Sequence, residues 1–120
     1  MNTTEQRVRV LVVDDEPAIC RIVTQTLGKY GFESCSVSDP KLLEQTLTTQ
    51  QPFAIILLDR SLGDVRGAQL LPLLREKAPN AKILYFTGEF LESRELDAVD
   101  GVVQKPVNGQ QLSATLRNVL

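Results

Sequence analysis

The residues best suited to chemistry in this chain are five polar side chains, each following a strand-like run. Asp14 and Asp15 follow Val8 to Val13, and Asp59 follows Phe53 to Leu58; Thr87 follows Lys82 to Phe86, and Lys105 follows Gly101 to Gln104. Three carboxylates brought together repel one another unless a cation is supplied, so the pattern predicts a metal. Mg²⁺ suits such a set, because it prefers a few carboxylates, waters and phosphate oxygens over a full protein cage. A hydroxyl and an ammonium beside the acids would receive phosphoryl oxygens. A lone Asp at a strand end is usually a turn residue or a helix cap. For Asp14 and Asp15 that second role stays open, and Asp15 could serve both. The joint occurrence at four strand termini carries the signal.

The elements that must position these groups alternate from end to end, with no repeat, linker or low-complexity segment. Apolar runs without polar alternation read as strands buried on both faces, the mark of a parallel sheet. The expected strands are Arg7 to Val13, Phe32 to Val37, Phe53 to Leu58, Lys82 to Phe86 and Gly101 to Gln104. Phe32 to Val37 is less apolar and is placed nearer an edge.

The first helix has Pro17 in its first turn, Ile19, Ile22, Val23, Thr26 and Leu27 on one face, and Gly28 and Gly31 at its close. The second is capped by Asp39 before Pro40, with Leu42, Leu43, Thr46 and Leu47 inward. After a Gly63/Gly67 loop, a Leu-rich helix contains Pro72, which should kink or loosen its first turns. A short polar helix is expected around Glu89 to Leu96. In the last helix Asn108 and Gln111 form a capping box, with Leu112, Thr115, Leu116 and Val119 inward. The chain therefore reads as (βα)5, an α/β doubly wound parallel sheet of flavodoxin-like order 2-1-3-4-5. That order sets Asp14 and Asp15 across a cleft from Asp59 at the switch point, where such sheets bind ligands.

Composition narrows the function classes. At 120 residues, one domain is expected, spanning 1–120 with a core of about 7–119. Apolar content of 42%, charged content of 23% and a net charge of −2 are those of an ordinary globular protein and lack the basic face of a nucleic-acid binder. No apolar stretch approaches the roughly 18 residues of a membrane span. Met1 to Gln6 does not resemble a signal peptide, so a cytoplasmic location is expected. Cys20 and Cys35 lack metal-site spacing and read as small apolar side chains, and the absence of histidine excludes zinc sites and His-based catalysis.

Taken in order, Val8 to Pro17 with its Asp pair, Leu58-Asp59 with Leu62-Gly63-Asp64 and Gly67, Phe86-Thr87-Gly88 and Lys105-Pro106 resemble the response-regulator receiver domain of two-component signalling. The match covers nearly the whole chain. The resemblance implies that Asp59 is the phosphoacceptor, a carboxylate nucleophile taking a phosphoryl group from a phosphohistidine. It implies Mg²⁺ (or Mn²⁺) held by Asp15, Asp59 and the Ser61 backbone carbonyl, with Asp14 acting mostly through a metal-bound water. Lys105 would pair with the phosphoryl group, Thr87 would hydrogen-bond to it, and the amides of Arg60 and Gly88 would donate further. Ser61 and Glu89 fall at positions that tune phosphoryl lifetime in the family, and Lys105-Pro106 would carry a cis peptide.

The implied partners are a histidine kinase or His-phosphotransfer protein as donor, and an output domain or partner protein. A phosphorylation-dependent dimer is also implied. Lacking histidine, the chain cannot be its own phosphohistidine donor.

Two features depart from the family pattern. Val102 stands where members carry Tyr or Phe as a rotating switch, and an aliphatic side chain that simply packs is expected there. The stretch between Thr87 and Lys105 is short by about one helical turn, roughly four residues. Both fall on the usual output face, so phosphorylation is expected with an atypical output. The end at Leu120, flush with the last helix, leans toward a domain excised from a larger regulator. Two alternatives stand beside this reading: a receiver-like interaction scaffold, and a Mg²⁺-dependent aspartyl-phosphate phosphatase. The phosphatase would need a second Asp two residues after its nucleophile, where this chain has Ser61, and a cap domain.

Overall fold

The computed structural model describes residues 7–50, 52–105 and 108–120. In chain order the elements are β1 (Arg9–Val13), α1 (Pro17–Lys29), β2 (Glu33–Val37), a 3-10 turn (Pro40–Leu42) and α2 (Leu43–Thr49). Then come β3 (Ile55–Leu58), β4 (Ser61–Leu62), β5 (Val65–Arg66), α3 (Gly67–Lys77), β6 (Lys82–Thr87), α4 (Ser93–Asp97), β7 (Gly101–Gln104) and α5 (Gly109–Val119). Five parallel strands form one sheet in the order β2-β1-β3-β6-β7, which is the expected 2-1-3-4-5 order once the ribbon is set apart. That ribbon, β4 and β5, pairs antiparallel through Ser61 with Arg66 and Leu62 with Val65.

The sheet is buried on both faces because successive strand residues point to opposite sides. Leu11, Val13, Ile56, Leu58, Ile83 and Tyr85 pack with Leu43, Leu47 and Leu74 of α2 and α3. Val10, Val12, Ile55, Leu57, Leu84 and Phe86 pack with Val23 and Leu27 of α1 and Leu112 and Leu116 of α5. β2 and β7 are the two edge strands and both mix exposed and buried positions, β2 as its composition predicts.

Several local expectations need correction. Ile22 is 60% exposed and Leu42 52%, whereas both were expected to face inward. Cys20 takes an inward place on α1, and Pro40–Leu42 forms a separate 3-10 turn that leaves only Leu43 and Leu47 buried. Gly28 lies within α1, and the turn out of the helix is made by Gly31 at φ +89°, the left-handed region where a Cβ is unfavourable. α3 spans Gly67–Lys77 with Pro72 inside it. The fourth helix is shorter than expected, five residues from Ser93, because Glu89 to Glu92 forms a loop. Asn108 and Gln111 cap α5 reciprocally, with Gln111 N–H donating to Asn108 Oδ1 at 2.8 Å. The expected cis peptide at Lys105-Pro106 lies outside the described residues.

Candidate functional site

Register delivers the acids to one level of the sheet. Val13 pairs with Leu58, so Asp14 and Asp59 stand side by side one residue further on. The ladder continues through them: Asp59 N–H donates to Val13 O at 2.9 Å and Asp14 N–H to Val37 O at 3.2 Å. On the other side Thr87 pairs with Gln104, and Lys105 N–H donates to Thr87 O at 2.9 Å.

One oxygen from each of Asp14, Asp15 and Asp59 lies within 4.8 Å of the others. Ligands about 2.1 Å from a Mg²⁺ ion lie at most about 4.2 Å apart, so small side-chain adjustments would close this set on one ion. Asp14 is fully buried, Asp59 nearly so, and Asp15 is exposed, leaving the nest open to solvent on one side. The oxygen-only donor set fits a hard divalent cation.

In this arrangement the ammonium of Lys105 neutralises the pair, with Nζ 2.6 Å from Asp14 Oδ2 and 3.2 Å from Asp59 Oδ2. The same ammonium lies 4.9 Å from the centre of the Phe86 ring. Burial works against its charge, but its hydrogen bond to Asp14 and the charges of Asp14 and Asp59 outweigh that and raise its pKa. Burial also raises Asp59 above the usual carboxylate value; Lys105 opposes the rise and Asp14 adds to it. Asp59 Oδ1 accepts the Ser61 N–H at 3.3 Å. The Asx-type turn into α1 is made by Asp14, whose Oδ1 accepts the Glu16 N–H at 3.0 Å. The capping role left open for Asp14 and Asp15 thus falls to Asp14. Glu16 at the N-cap has no side-chain bond, and Pro17 occupies the first turn.

Gly67 holds the loop after Asp59 closed. A Cβ there would sit 2.2 Å from the backbone oxygen of Asp59, and the Gly67 N–H donates to Arg60 O at 2.8 Å. Gly63, at φ +69°, turns the β4–β5 ribbon beside Asp15. Thr87 is buried, and its hydroxyl accepts the Glu89 N–H at 3.1 Å.

All five sequence-predicted side chains therefore reach one edge of the sheet, with Lys105 inside the carboxylate nest itself. Sequence reasoning missed the Arg60 side chain, which pairs with Glu89 at 3.0 Å and Glu95 at 2.7 Å. Those partners lie 29 and 35 residues away, and no local spacing signals them. Val102 is 39% exposed and lines a small apolar hollow with Phe90, Leu91 and Leu96. It does not pack away as an interior aliphatic residue would.

With that geometry in place, comparison with known proteins settles the class. Residues 10–117 match the family model of the response regulator receiver domain, and the chain belongs to that family. Among curated relatives, the sensor protein TorS of Escherichia coli is 28% identical over 116 residues, 93% of this chain but 13% of TorS. The alginate biosynthesis transcriptional regulatory protein AlgB of Pseudomonas syringae is 30% identical over 91% of this chain and 25% of its own length. The chain thus spans a quarter or less of these two relatives. Among solved structures, Vibrio cholerae chemotaxis protein CheY4 superposes with a TM-score of 0.86 at 25% identity, covering 96% of this chain and 100% of that one. The protein is a phosphoacceptor signalling domain of the two-component type, and neither the scaffold nor the phosphatase alternative is favoured.

Proposed function

We propose that Asp59 is the phosphoacceptor and that residues 1–120 form a single receiver domain with its core at about 7–119. The observation that carries this reading is the nest of Asp14, Asp15 and Asp59 oxygens within 4.8 Å, with Lys105 Nζ bonded to two of the three acids. An Asp59 carboxylate oxygen forms a bond to phosphorus as the P–N bond of a partner's phosphohistidine breaks. The imidazole nitrogen leaves with the electron pair and takes up a proton. Such a transfer asks mainly for positioning and charge neutralisation.

Asp15, Asp59 and the Ser61 carbonyl would hold Mg²⁺ (or Mn²⁺) directly, with Asp14 acting through water. The ion would neutralise charge that builds up on the transferring group. Lys105, already poised between Asp14 and Asp59, is placed to follow the negative charge onto the phosphoryl oxygens. Thr87 would turn its hydroxyl toward the same oxygens, and the amides of Arg60 and Gly88 would donate to them. The chemistry of the chain itself is self-phosphorylation and self-dephosphorylation, in which water attacks phosphorus, the Asp59 carboxylate leaves and inorganic phosphate is released. The donor is a histidine kinase or a phosphotransfer protein, and the recipient of the signal is an attached or separate output partner. Among the described residues no helix is long and apolar enough to cross a membrane, and we place the domain in the cytoplasm.

Intact-mass measurement after incubation with acetyl phosphate and Mg²⁺ tests the assignment. One phosphoryl group should appear on the wild type and none on Asp59→Asn. An unchanged mass with both acetyl phosphate and a cognate kinase would overturn it in favour of a scaffold.

A further inference from the structure

The loop that begins at Asp59 is tied by charge to the shortened fourth helix. Arg60 Nε donates to Glu95 Oε2 at 2.7 Å, and a terminal nitrogen donates to Glu95 Oε1 at 3.2 Å. The other terminal nitrogen donates to Glu89 Oε2 at 3.0 Å. Glu89 in turn accepts the Ser61 hydroxyl at 2.9 Å, and its N–H donates to Thr87 Oγ1 at 3.1 Å. An unbroken polar path therefore joins the phosphoacceptor loop, Thr87 and α4.

The helix has little else to hold it. Five residues are too few for a helix to stand by propensity alone, and none of the α4 side chains is buried. Its first turn is capped from within, because Glu95 Oε1 also accepts the Glu92 N–H at 3.0 Å. One carboxylate thus caps the helix and receives the planar fork of Arg60, a geometry that Lys could not reproduce. Each partner stabilises the other's charge: the bond to Arg60 holds Glu95 below the usual carboxylate range, and the bond to Glu95 raises Arg60.

We propose that the Arg60–Glu95 clasp couples the phosphorylation state of Asp59 to the position of α4, in a domain where Val102 cannot act as an aromatic switch. The inference rests on the phosphoacceptor reading of Asp59. Phosphorylation adds negative charge and acceptor oxygens one residue from Arg60. The new anion competes with Glu89 and Glu95 for the guanidinium. Its bond to the Thr87 hydroxyl also draws the Glu89 N–H, and so the Glu89 side chain, out of the network. Both effects loosen the clasp and free α4.

Amide hydrogen exchange of residues 91–100 tests this in wild type, Arg60→Met and Glu95→Gln, each with and without acetyl phosphate and Mg²⁺. Intact mass would be read on the same samples. Gln at position 95 keeps the cap acceptor and loses only the charge. Without phosphodonor, both variants should exchange about fivefold faster than wild type across 91–100, the most that a partly exposed ion pair is worth. They should match phosphorylated wild type and change little on phosphorylation.

Variants that exchange at the wild-type rate, or that still accelerate on phosphorylation as wild type does, overturn the clasp. Acceleration that spreads into β1 and β3 marks global unfolding and also counts against it. Wild type that gains a phosphoryl group with α4 unchanged overturns the clasp alone. Wild type that gains none overturns the phosphoacceptor reading and the coupling with it.

Discussion

Lys105 and Asp14, 91 residues apart in sequence, meet at 2.6 Å inside the carboxylate nest. The lysine therefore acts as a built-in counter-ion in the metal-free domain, and a divalent cation has to share the acids with it. Removing a unit charge about 4 Å from a carboxylate changes the interaction by about 1 kcal/mol even in bulk water. Lys105→Ala should tighten Mg²⁺ binding roughly fivefold or more, as read by calorimetry. The same change should abolish the NMR shifts that beryllofluoride induces in the wild type. Weakened metal binding together with lost response would show that Lys105 is needed for metal binding, contrary to its assigned role.

Asp59→Asn should remove phosphorylation and leave the fold intact. Burial and the neighbouring Asp14 disfavour the Asp59 carboxylate in the folded state, so an uncharged isostere gives up no net favourable charge. In chelator, the melting temperature should stay level or rise by a few degrees. A large drop would contradict the crowded-acid picture.

Gly67→Ala should be among the most damaging single methyl additions in the chain. The nearest atom to the new methyl would be the backbone oxygen of Asp59 at 2.2 Å, and backbone cannot swing aside as a side-chain tip can. Overpacking of this kind costs about 1–3 kcal/mol. Thermal melting and the acetyl-phosphate labelling rate should fall together, because the displaced backbone is that of Asp59. Gly28→Ala is the control: a Cβ there meets nothing within 4 Å, and Gly28 lies within a helix, where Ala is favoured.

Acid should loosen α4 before it unfolds the sheet. Glu95 has a folded pKa below its ordinary value of 4.5, chiefly through its bond to Arg60. The sign follows from linkage: the unfolded chain takes up the proton first, so this group's contribution is present above 4.5 and is lost as pH falls through the folded value. In chelator, the NMR signal of the Arg60 Nε–H, which donates to Glu95, should shift in that window in wild type and lose that step in Glu95→Gln. A flat wild-type response would remove the Arg60–Glu95 pair as the source of the shift.

The parts of this molecule written in local pattern were readable in advance. Uninterrupted apolar runs marked β1, β3 and β6, and the polar residue ending each run marked the site, because a strand buried on both faces leaves little ambiguity. Asn108 and Gln111 announced the start of α5 through their three-residue spacing. What could not be read depends on contacts distant in sequence or on elements too short to carry a period. The β4–β5 ribbon has two residues per strand. Ile22 and Leu42 match a helical stripe by spacing, yet the neighbouring elements do not cover them. Sequence reading singled out only the backbone amide of Arg60, and only the fold brings Glu95 to its side chain. Gly67 was legible as a loop glycine, but its close approach to the Asp59 backbone was not.

The register of the sheet has a consequence for engineering. Asp14 and Asp59 each stand one step past a paired position, and Lys105 one step past Gln104. Because a strand alternates sides at every residue, a single insertion inside β1 or β3 would turn the charged tip toward the opposite helical layer and bring Val13 or Leu58 to the edge in its place. Chimeras of this domain should therefore be spliced at the amino ends of the strands, around Arg7 or Pro52, where a change of length leaves the acidic rim in frame.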